Sequence, residues 1–93
     1  MKAGDRERLQ LGFARALEAR RQAAAISQEE LAHRAGLHRT YVSQLERGLK
    51  SPSLAAIEAL ADALGLRPHE LVRAAEEAVG TGRPRARETG PSG

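Results

Sequence analysis

Apolar side chains recur every three or four residues along most of the chain, which predicts a series of short amphipathic helices. In the first segment, Leu9, Phe13 and Leu17 share one helical face. No run alternates apolar and polar positions in the manner of a strand. The pattern therefore predicts an all-α fold in one domain, residues 1–79. The expected helices cover about 6–24, 27–36, 39–47, 54–64 and 67–79.

Capping residues mark where these helices begin and end. Ser27, followed by Glu30, has the form of a capping box, in which the hydroxyl caps the helix and the carboxylate reaches back. Gly36 is suited to end that helix, because glycine adopts the left-handed conformation at little cost. Ser53 is placed to cap the fourth helix, and Pro68 to occupy the first position of the last one.

The composition changes at Gly80. Residues 80–93 are rich in Gly, Pro and Arg and contain one small apolar residue. Such a segment buries too little surface to offset its conformational entropy. We predict a disordered basic tail that either adds weak attraction to phosphates or only aids solubility.

Residues 27–48 combine two short helices with a turn around Gly36, the arrangement that presents a second helix to the major groove of DNA. The inward positions of this unit are small or aliphatic. The outward positions of its second helix are all polar and contain no acid, as a surface facing phosphates requires. These outward positions are Arg39, Thr40, Ser43, Gln44 and Arg47.

The charge balance supports this interpretation once the charges are located. The 93 residues carry 15 Lys and Arg against 12 Asp and Glu, a formal net charge of +3. Thirteen of the basic residues are Arg, whose planar head suits phosphates and guanine edges. Between residues 36 and 53, three basic residues stand against one acid, Glu46. Nucleic acid is therefore the expected partner, and the 2% aromatic content favours duplex over single strands.

Other function classes find little support. Three widely spaced His and no Cys provide no nucleophile with an adjacent base and no cluster of metal ligands. We expect no enzymatic activity, no metal and no cofactor. No apolar stretch approaches the roughly 20 residues of a membrane span, and no signal-peptide core follows the N-terminus. The expected location is the cytoplasm, in association with the nucleoid.

Three groups of residues carry a family resemblance, namely Ser27–Ala32 with Ala35–Leu37, Tyr41–Gly48, and Pro52–Leu54 with Ala61–Gly65. Together they resemble the lambda-repressor/Cro-like (Xre-type) helix-turn-helix regulators. The likeness extends over about 13–71 and is nearest to small stand-alone repressors and restriction–modification controller proteins. It implies a compact five-helix repressor domain that binds DNA as a homodimer. Ala14 and Ala25 depart from it, because the family often has glycine there.

The start of the second helix of the motif faces base edges in proteins of this kind. Arg39 is suited to guanine O6 and N7, and Gln44 to adenine N6 and N7. Thr40 offers a hydroxyl or a methyl group, and Ser43 lies one turn later. We predict that these four residues read bases. The alternative is contact with phosphates alone for Arg39 and Thr40, and a surface glutamine for Gln44.

A second group is predicted to contact phosphates. For Tyr41, pure packing is an equal alternative, and His38 is either a cap or a phosphate ligand. The resemblance further implies that Glu46 pairs with Arg21 as a structural ion pair. The predicted phosphate-binding residues are Gln28, His38, Tyr41, Arg47, Lys50 and Ser53.

The last helix carries the apolar stripe Leu71, Val72, Ala75 and Val79. The resemblance implies that Leu71 closes the core, and we predict that the stripe forms a homodimer interface. A two-fold dimer that reads double-stranded DNA has an inverted-repeat operator. The alternatives are core packing without a dimer, and a role as an antitoxin or docking module whose main partner is another protein, such as a toxin.

Overall fold

The computed structural model describes the backbone of residues 3–80 and the side chains of residues 7–79. Five helices and no strand occur in that range, which confirms the all-α fold. The helix starts after α1 match the prediction closely, whereas α1 begins earlier than expected and α5 includes Gly80. The rest of the predicted tail, 81–93, lies outside the described residues. The helices are α1 Ala3–Ala23, α2 Gln28–Ala35, α3 Arg39–Glu46, α4 Leu54–Ala63 and α5 Pro68–Gly80.

The core is aliphatic with one aromatic ring, Phe13, and every helix contributes to it. Leu17 of α1 is fully buried within this cluster. Ile26, Ala35 and Leu37 pack against this core while remaining half-buried. The largest fully buried side chains are Leu17, Leu31, Val42, Leu45, Leu60 and Leu71.

A glycine lets α1 and α5 approach each other closely. A methyl group at Gly12 would lie 2.2 Å from the backbone oxygen of Ala75 and 2.8 Å from Cγ2 of Val79. These distances are too short for any side chain, so the seam between the two helices requires glycine at this position. The close approach brings α5 over Phe13 and Leu17 and closes the core.

The packing of α5 corrects part of the predicted dimer interface. Leu71 and Ala75 are 0% and 1% exposed, because both side chains face the core of the same protomer. The dimer prediction is therefore wrong for these two residues. Val72 and Val79 are half-buried, and Val79 lies against Gly12. A periodic stripe identifies the apolar face of α5, but α1 covers most of that face.

The predicted capping box of α2 forms only in part. The Ser27 hydroxyl accepts a hydrogen bond from the backbone N–H of Glu30 at 3.0 Å, as expected. The Glu30 carboxylate does not reach back to Ser27, because it accepts a 2.8 Å hydrogen bond from Arg34 one turn later. That hydrogen bond holds the pKa of Glu30 below its ordinary value. An ion pair along the helix replaces the second half of the box.

The turn between α1 and α2 contains the one non-glycine residue with positive φ in the described chain, Ala25 at 59°. This left-handed conformation brings the Cβ of an L-residue too close to the backbone and costs about 1–2 kcal/mol relative to glycine's freedom there. The turn is nevertheless closed by hydrogen bonds from Ala25 N to Gln22 O and from Ile26 N to Arg21 O. Ala25 therefore stores strain at the entrance to α2.

Candidate nucleic-acid interface

The predicted helix-turn-helix is formed by α2, the turn 36–38 and α3. Gly36 adopts the left-handed conformation at φ 70°, and Leu37 N donates to Ala32 O at 2.9 Å, which closes the turn. Leu31 and Val42 are fully buried between the two helices and the rest of the core. This packing fixes the angle at which α3 leaves the turn and keeps its polar face outward.

The outward face of α3 carries the predicted base-reading residues. Arg39 and Thr40 are exposed at its first turn, and Ser43 and Gln44 are half-buried one turn later. The first turn contains no acid, and His38 at the N-cap makes no side-chain capping bond. The start of the helix therefore presents backbone N–H groups, an arginine and a hydroxyl, which together favour an anionic partner.

The acid of α3, Glu46, points inward. Its Oε2 accepts from Arg21 Nε at 2.7 Å, and its Oε1 accepts from Arg21 Nη2 at 3.1 Å. The Arg21 side chain is 13% exposed, and the Glu46 side chain is 3% exposed. Hydrogen bonding to Glu46 raises the pKa of Arg21, an effect that burial opposes. The bidentate pair neutralises the carboxylate and ties the end of α3 to α1.

Arg21 and Gln28 extend this pair into a network. Arg21 Nη1 donates to the backbone oxygen of Ile26 at 2.8 Å, and Gln28 Nε2 donates to Glu46 Oε1 at 2.9 Å. The Gln28 amide thus uses one N–H inside the protein and retains a second N–H and a carbonyl oxygen. The geometry gives Gln28 a structural role in addition to the predicted phosphate contact.

The segment that joins α3 to α4, residues 47–53, is named here the connecting turn. Arg47 and Lys50 are exposed on it, as a phosphate contact requires. The ring of Tyr41 packs against the core, and its hydroxyl accepts from Ser53 N at 3.3 Å, so the hydroxyl hydrogen is available to donate. Ser53 caps α4 by accepting from Ala56 N at 3.0 Å.

Gln10 contributes to this region, although no sequence motif indicated it. Its Nε2 donates to the backbone oxygen of Gly48 at 2.9 Å, and its Oε1 accepts from Ser51 Oγ at 2.6 Å. The connecting turn is thus attached to α1 by a side chain about 40 positions away in sequence. A polar residue in the first helix gives no sign of such a distant partner.

An apolar depression of about 250 Å³ lies beside the connecting turn, between α1, α4 and α5. Leu9, at its edge, is 38% exposed. Leu54 is 85% exposed and lies three positions before Ile57 on α4, so the two share a helical face. The depression is lined by Leu9, Gln10, Phe13, Ser51, Pro52, Ile57, Val72 and Ala75.

Two further kinds of site are absent from the described part of the chain. Within residues 3–80, no three His, Asp or Glu side chains come together in a group able to hold a metal ion. None of the helices in the same range combines the length and apolar character needed to cross a bilayer.

The helix-turn-helix family HTH_3 matches residues 17–71, which include α2, α3 and α4 entirely. The chain belongs to this helix-turn-helix family. Its members are DNA-binding transcription regulators, and the resemblance to Xre-type regulators is confirmed. The control protein C.BamHI of Bacillus amyloliquefaciens is 49% identical over 47 residues. That match covers 50% of this chain and 58% of the relative, so the chain spans little more than half of that protein.

Solved structures of helix-turn-helix regulators share the fold. The restriction-modification controller protein C.AhdI from Aeromonas hydrophila superposes with a TM-score of 0.65 at 44% identity, over 67% of this chain and 90% of that one. The clp gene regulator ClgR from Corynebacterium glutamicum gives a TM-score of 0.74 at 26% identity, over 86% and 83% of the two chains. The likeness to ClgR extends over most of the five helices.

Proposed function

We propose that this helix-turn-helix regulator is a dimeric repressor that reads an inverted-repeat operator by inserting α3 into the major groove. The observation that carries the proposal is the distribution of charge on α3. Its outward face presents Arg39 and no acid, whereas its acid, Glu46, is 3% exposed and paired with Arg21. A helix arranged in this way can approach phosphates without a repulsive charge.

Base reading is assigned to the outward residues of the first two turns of α3. Arg39 is exposed at the helix start and has the bidentate donors that match guanine O6 and N7. Thr40 lies beside it, and Ser43 and Gln44 follow one turn later on the same helix. Gln44 is long enough to exchange two hydrogen bonds with adenine.

Phosphate contacts surround this helix on two sides. Arg47 and Lys50 supply charge from the connecting turn, and the Tyr41 and Ser53 hydroxyls retain hydrogens to donate. His38 precedes α3 with its side chain free of capping bonds, and Gln28 offers its second N–H from the start of α2. Contacts of this kind fix the register of a protein on the duplex without specifying sequence.

The dimer is assigned to the apolar depression rather than to the whole stripe of α5. Two residues of the predicted stripe line the depression, and Val72 is the one that stays half-buried, whereas Ala75 is 1% exposed. Leu54 and Ile57 continue this apolar surface along α4. A self-complementary patch on each protomer satisfies two-fold symmetry. The C.BamHI and C.AhdI relatives are control proteins by name, which supports a regulatory role.

The experiment that tests the proposal is the selection of bound sequences from random double-stranded DNA. We expect an inverted repeat whose half-sites are centred about 34 Å, or one helical turn, apart. A single enriched half-site without symmetry would contradict the dimeric arrangement. A failure to enrich any sequence, with binding to all DNA alike, would contradict specific recognition.

The selected operator then allows the role of Arg39 to be measured. Arg39→Ala should weaken operator binding by about 1–3 kcal/mol and relax the preference at one base pair. Arg15→Ala is the matched control, because Arg15 is exposed on α1 and its loss changes the net charge equally. Equal weakening of operator and random DNA by Arg39→Ala would reduce Arg39 to a phosphate contact.

The phosphate contacts have a different signature. Lys50→Ala or Arg47→Ala should weaken binding to all sequences alike and lower the slope of log affinity against log salt by about one. Titrations at several salt concentrations measure that slope. An unchanged slope in both variants would remove these residues from the interface.

A protein partner, such as a toxin, is the alternative occupant of the apolar depression. Leu54→Glu distinguishes the two, because a charge at an 85% exposed position leaves the core intact. If the depression is a dimer interface, light scattering should show that this variant is monomeric where the parent protein is dimeric. A parent protein that stays monomeric at high concentration and on operator DNA would favour the docking role.

A further inference from the structure

The connecting turn, residues 47–53, is poorly supported by its own backbone. Arg47 N, Gly48 N and Leu49 N donate to carbonyl oxygens of α3. Beyond Leu49 this support ends, because Pro52 has no N–H and the N–H groups of Lys50 and Ser51 have no hydrogen-bond acceptor within the described chain. Lys50, one of the predicted phosphate-binding residues, therefore lies where backbone hydrogen bonds do not fix the turn.

The side chain of Gln10 spans this weak point. Its amide group is bonded at one end to Gly48 O, at 2.9 Å, and at the other to Ser51 Oγ, at 2.6 Å. These two partners flank Leu49 and Lys50, so one amide closes the turn around the lysine. The bond to Gly48 O is partly buried, which limits competition from water there, whereas the bond from Ser51 is exposed.

The helix that carries Gln10 is itself fixed to α3. Gln10 and Arg21 are eleven positions apart, which places them within about 20° of each other around α1. Arg21 holds Glu46 at the end of α3, and Gln10 holds the residues that follow. One stripe of α1 therefore supports both α3 and the connecting turn, which together carry most of the predicted DNA-contact residues.

We infer that Gln10 is a positioning residue for DNA binding, which holds Lys50 in place through Gly48 and Ser51 without touching DNA. The inference rests on the proposed function, since it assigns Lys50 to a phosphate. The part of the inference that concerns the ordering of the connecting turn does not depend on DNA and is measured separately.

The test uses Gln10→Met, which keeps the length and the apolar contacts of the side chain but removes both hydrogen bonds. Gln22→Met is the matched control, because Gln22 is exposed on the same helix and its amide contacts only Glu18, at 3.5 Å. In the free protein, backbone NMR order parameters of Lys50 and Ser51 should fall in Gln10→Met and stay unchanged in Gln22→Met. Unchanged order parameters in Gln10→Met would overturn the inference.

The DNA measurement uses the operator selected with the parent protein. Gln10→Met should bind it about tenfold more weakly, the effect of one or two lost hydrogen bonds, with a smaller salt slope. In a Lys50→Ala background the same substitution should have an effect of less than about twofold, because residues that act through one another are not additive. Ser51→Ala should reproduce part of the loss.

The outcomes separate the two proposals. A tenfold loss that persists in the Lys50→Ala background would show that Gln10 acts by another route and would overturn the inference. If the parent protein binds no DNA, the proposed function fails, and with it the assignment of Gln10 to DNA binding. The order parameters then still decide whether Gln10 holds the turn.

Discussion

The two helices of the helix-turn-helix have the same length and opposite sources of stability. Both α2 and α3 contain eight residues. In α2 almost every local signal favours a helix: a serine cap, two acids in the first turn, basic side chains in the last, and a left-handed glycine after it. In α3 the N-cap makes no side-chain bond, and the first and last turns carry neither the acids nor the bases that stabilise a helix.

The contacts of α3 with the rest of the protein replace these missing signals. Val42 and Leu45 are fully buried, Glu46 is bonded to Arg21 and Gln28, and the Tyr41 hydroxyl meets Ser53. An acid at the start of α3 would stabilise the helix but repel phosphate. Thus α2 is stabilised by its own sequence, whereas α3 has an uncapped N-terminus and depends on contacts with the rest of the protein.

The largest expected effect comes from removing the contact that holds α3 to the scaffold. Glu46→Gln loses the charge that Arg21 pairs with, and a buried pair broken on one side typically destabilises by about 3–5 kcal/mol. Because Arg21 is 13% exposed and water can reach it, we expect about 2–4 kcal/mol here. Urea unfolding measures the change.

Glu30→Gln is the matched control for that experiment, because it removes the same charge from the pair inside α2. The Glu30 and Arg34 side chains are 45% and 47% exposed, so the effect on unfolding should be small. The pH dependence of this small effect has a defined direction. The pKa of Glu30 is lower in the folded protein than in the unfolded chain, so the carboxylate stabilises the fold above its unfolded-state pKa. This stabilisation is lost as the pH falls through the folded-state pKa. Equal destabilisation by the two variants would contradict the comparison.

The next effect concerns the local signals of α2. Ser27→Ala removes the cap that accepts from Glu30 N and should destabilise the protein by about 1 kcal/mol. Operator affinity per folded molecule should stay unchanged, because Ser27 lies outside the predicted interface. Thermal unfolding and a binding titration measure the two quantities. A loss of affinity without a loss of stability would place Ser27 on the DNA surface.

The third substitution adds a side-chain cap to the N-terminus of α3, which lacks one in the parent protein. His38→Asp supplies a capping carboxylate at its N-terminus and should stabilise the fold by about 0.5–1 kcal/mol while weakening DNA binding. His69→Asp places an acid in the first turn of α5, away from the predicted DNA surface, and should leave binding unchanged. Should His38→Asp bind DNA as tightly as the parent protein, the open end of α3 would have no role in recognition.

The smallest expected effect concerns Ala25, the strained residue shortly before α2. Ala25→Gly relieves the left-handed strain at φ 59° but adds freedom to the unfolded chain, so the net stabilisation should be about 0.5 kcal/mol. Ala24→Gly is the control, because its backbone is not left-handed and the substitution should not stabilise. Thermal melts of the pair measure the difference, and equal midpoints would argue against strain at Ala25.

Helical periodicity and capping residues were enough to predict the five helices, their approximate bounds and the inward positions of the motif. These signals are local, and α2 shows how strongly they can agree. The partner of Glu30 was predicted wrongly because two local partners compete, and the charged Arg34 at one helical turn prevails over the backbone N–H of Ser27.

The features missed by sequence reasoning all depend on contacts between distant segments. Gly12 lies within a helix, and no sequence pattern indicates that the backbone of Ala75 lies beside it. Gln10 carries no pattern that points to Gly48 or Ser51. The pairing of Arg21 with Glu46 came from family resemblance alone, since no local rule links residues 25 positions apart. The DNA contacts themselves stay predictions until they are measured.

The seam at Gly12 also sets an order of events during protein synthesis. The first helix leaves the ribosome early, yet its hydrophobic face is covered by the last one, and Arg8 contacts Val79 across 71 positions. Because chains are made at about 5–20 residues per second, several seconds pass between the synthesis of Phe13 and Leu17 and that of α5, which packs over them. An unfinished chain therefore leaves this hydrophobic face of α1 exposed until the fifth helix has been made.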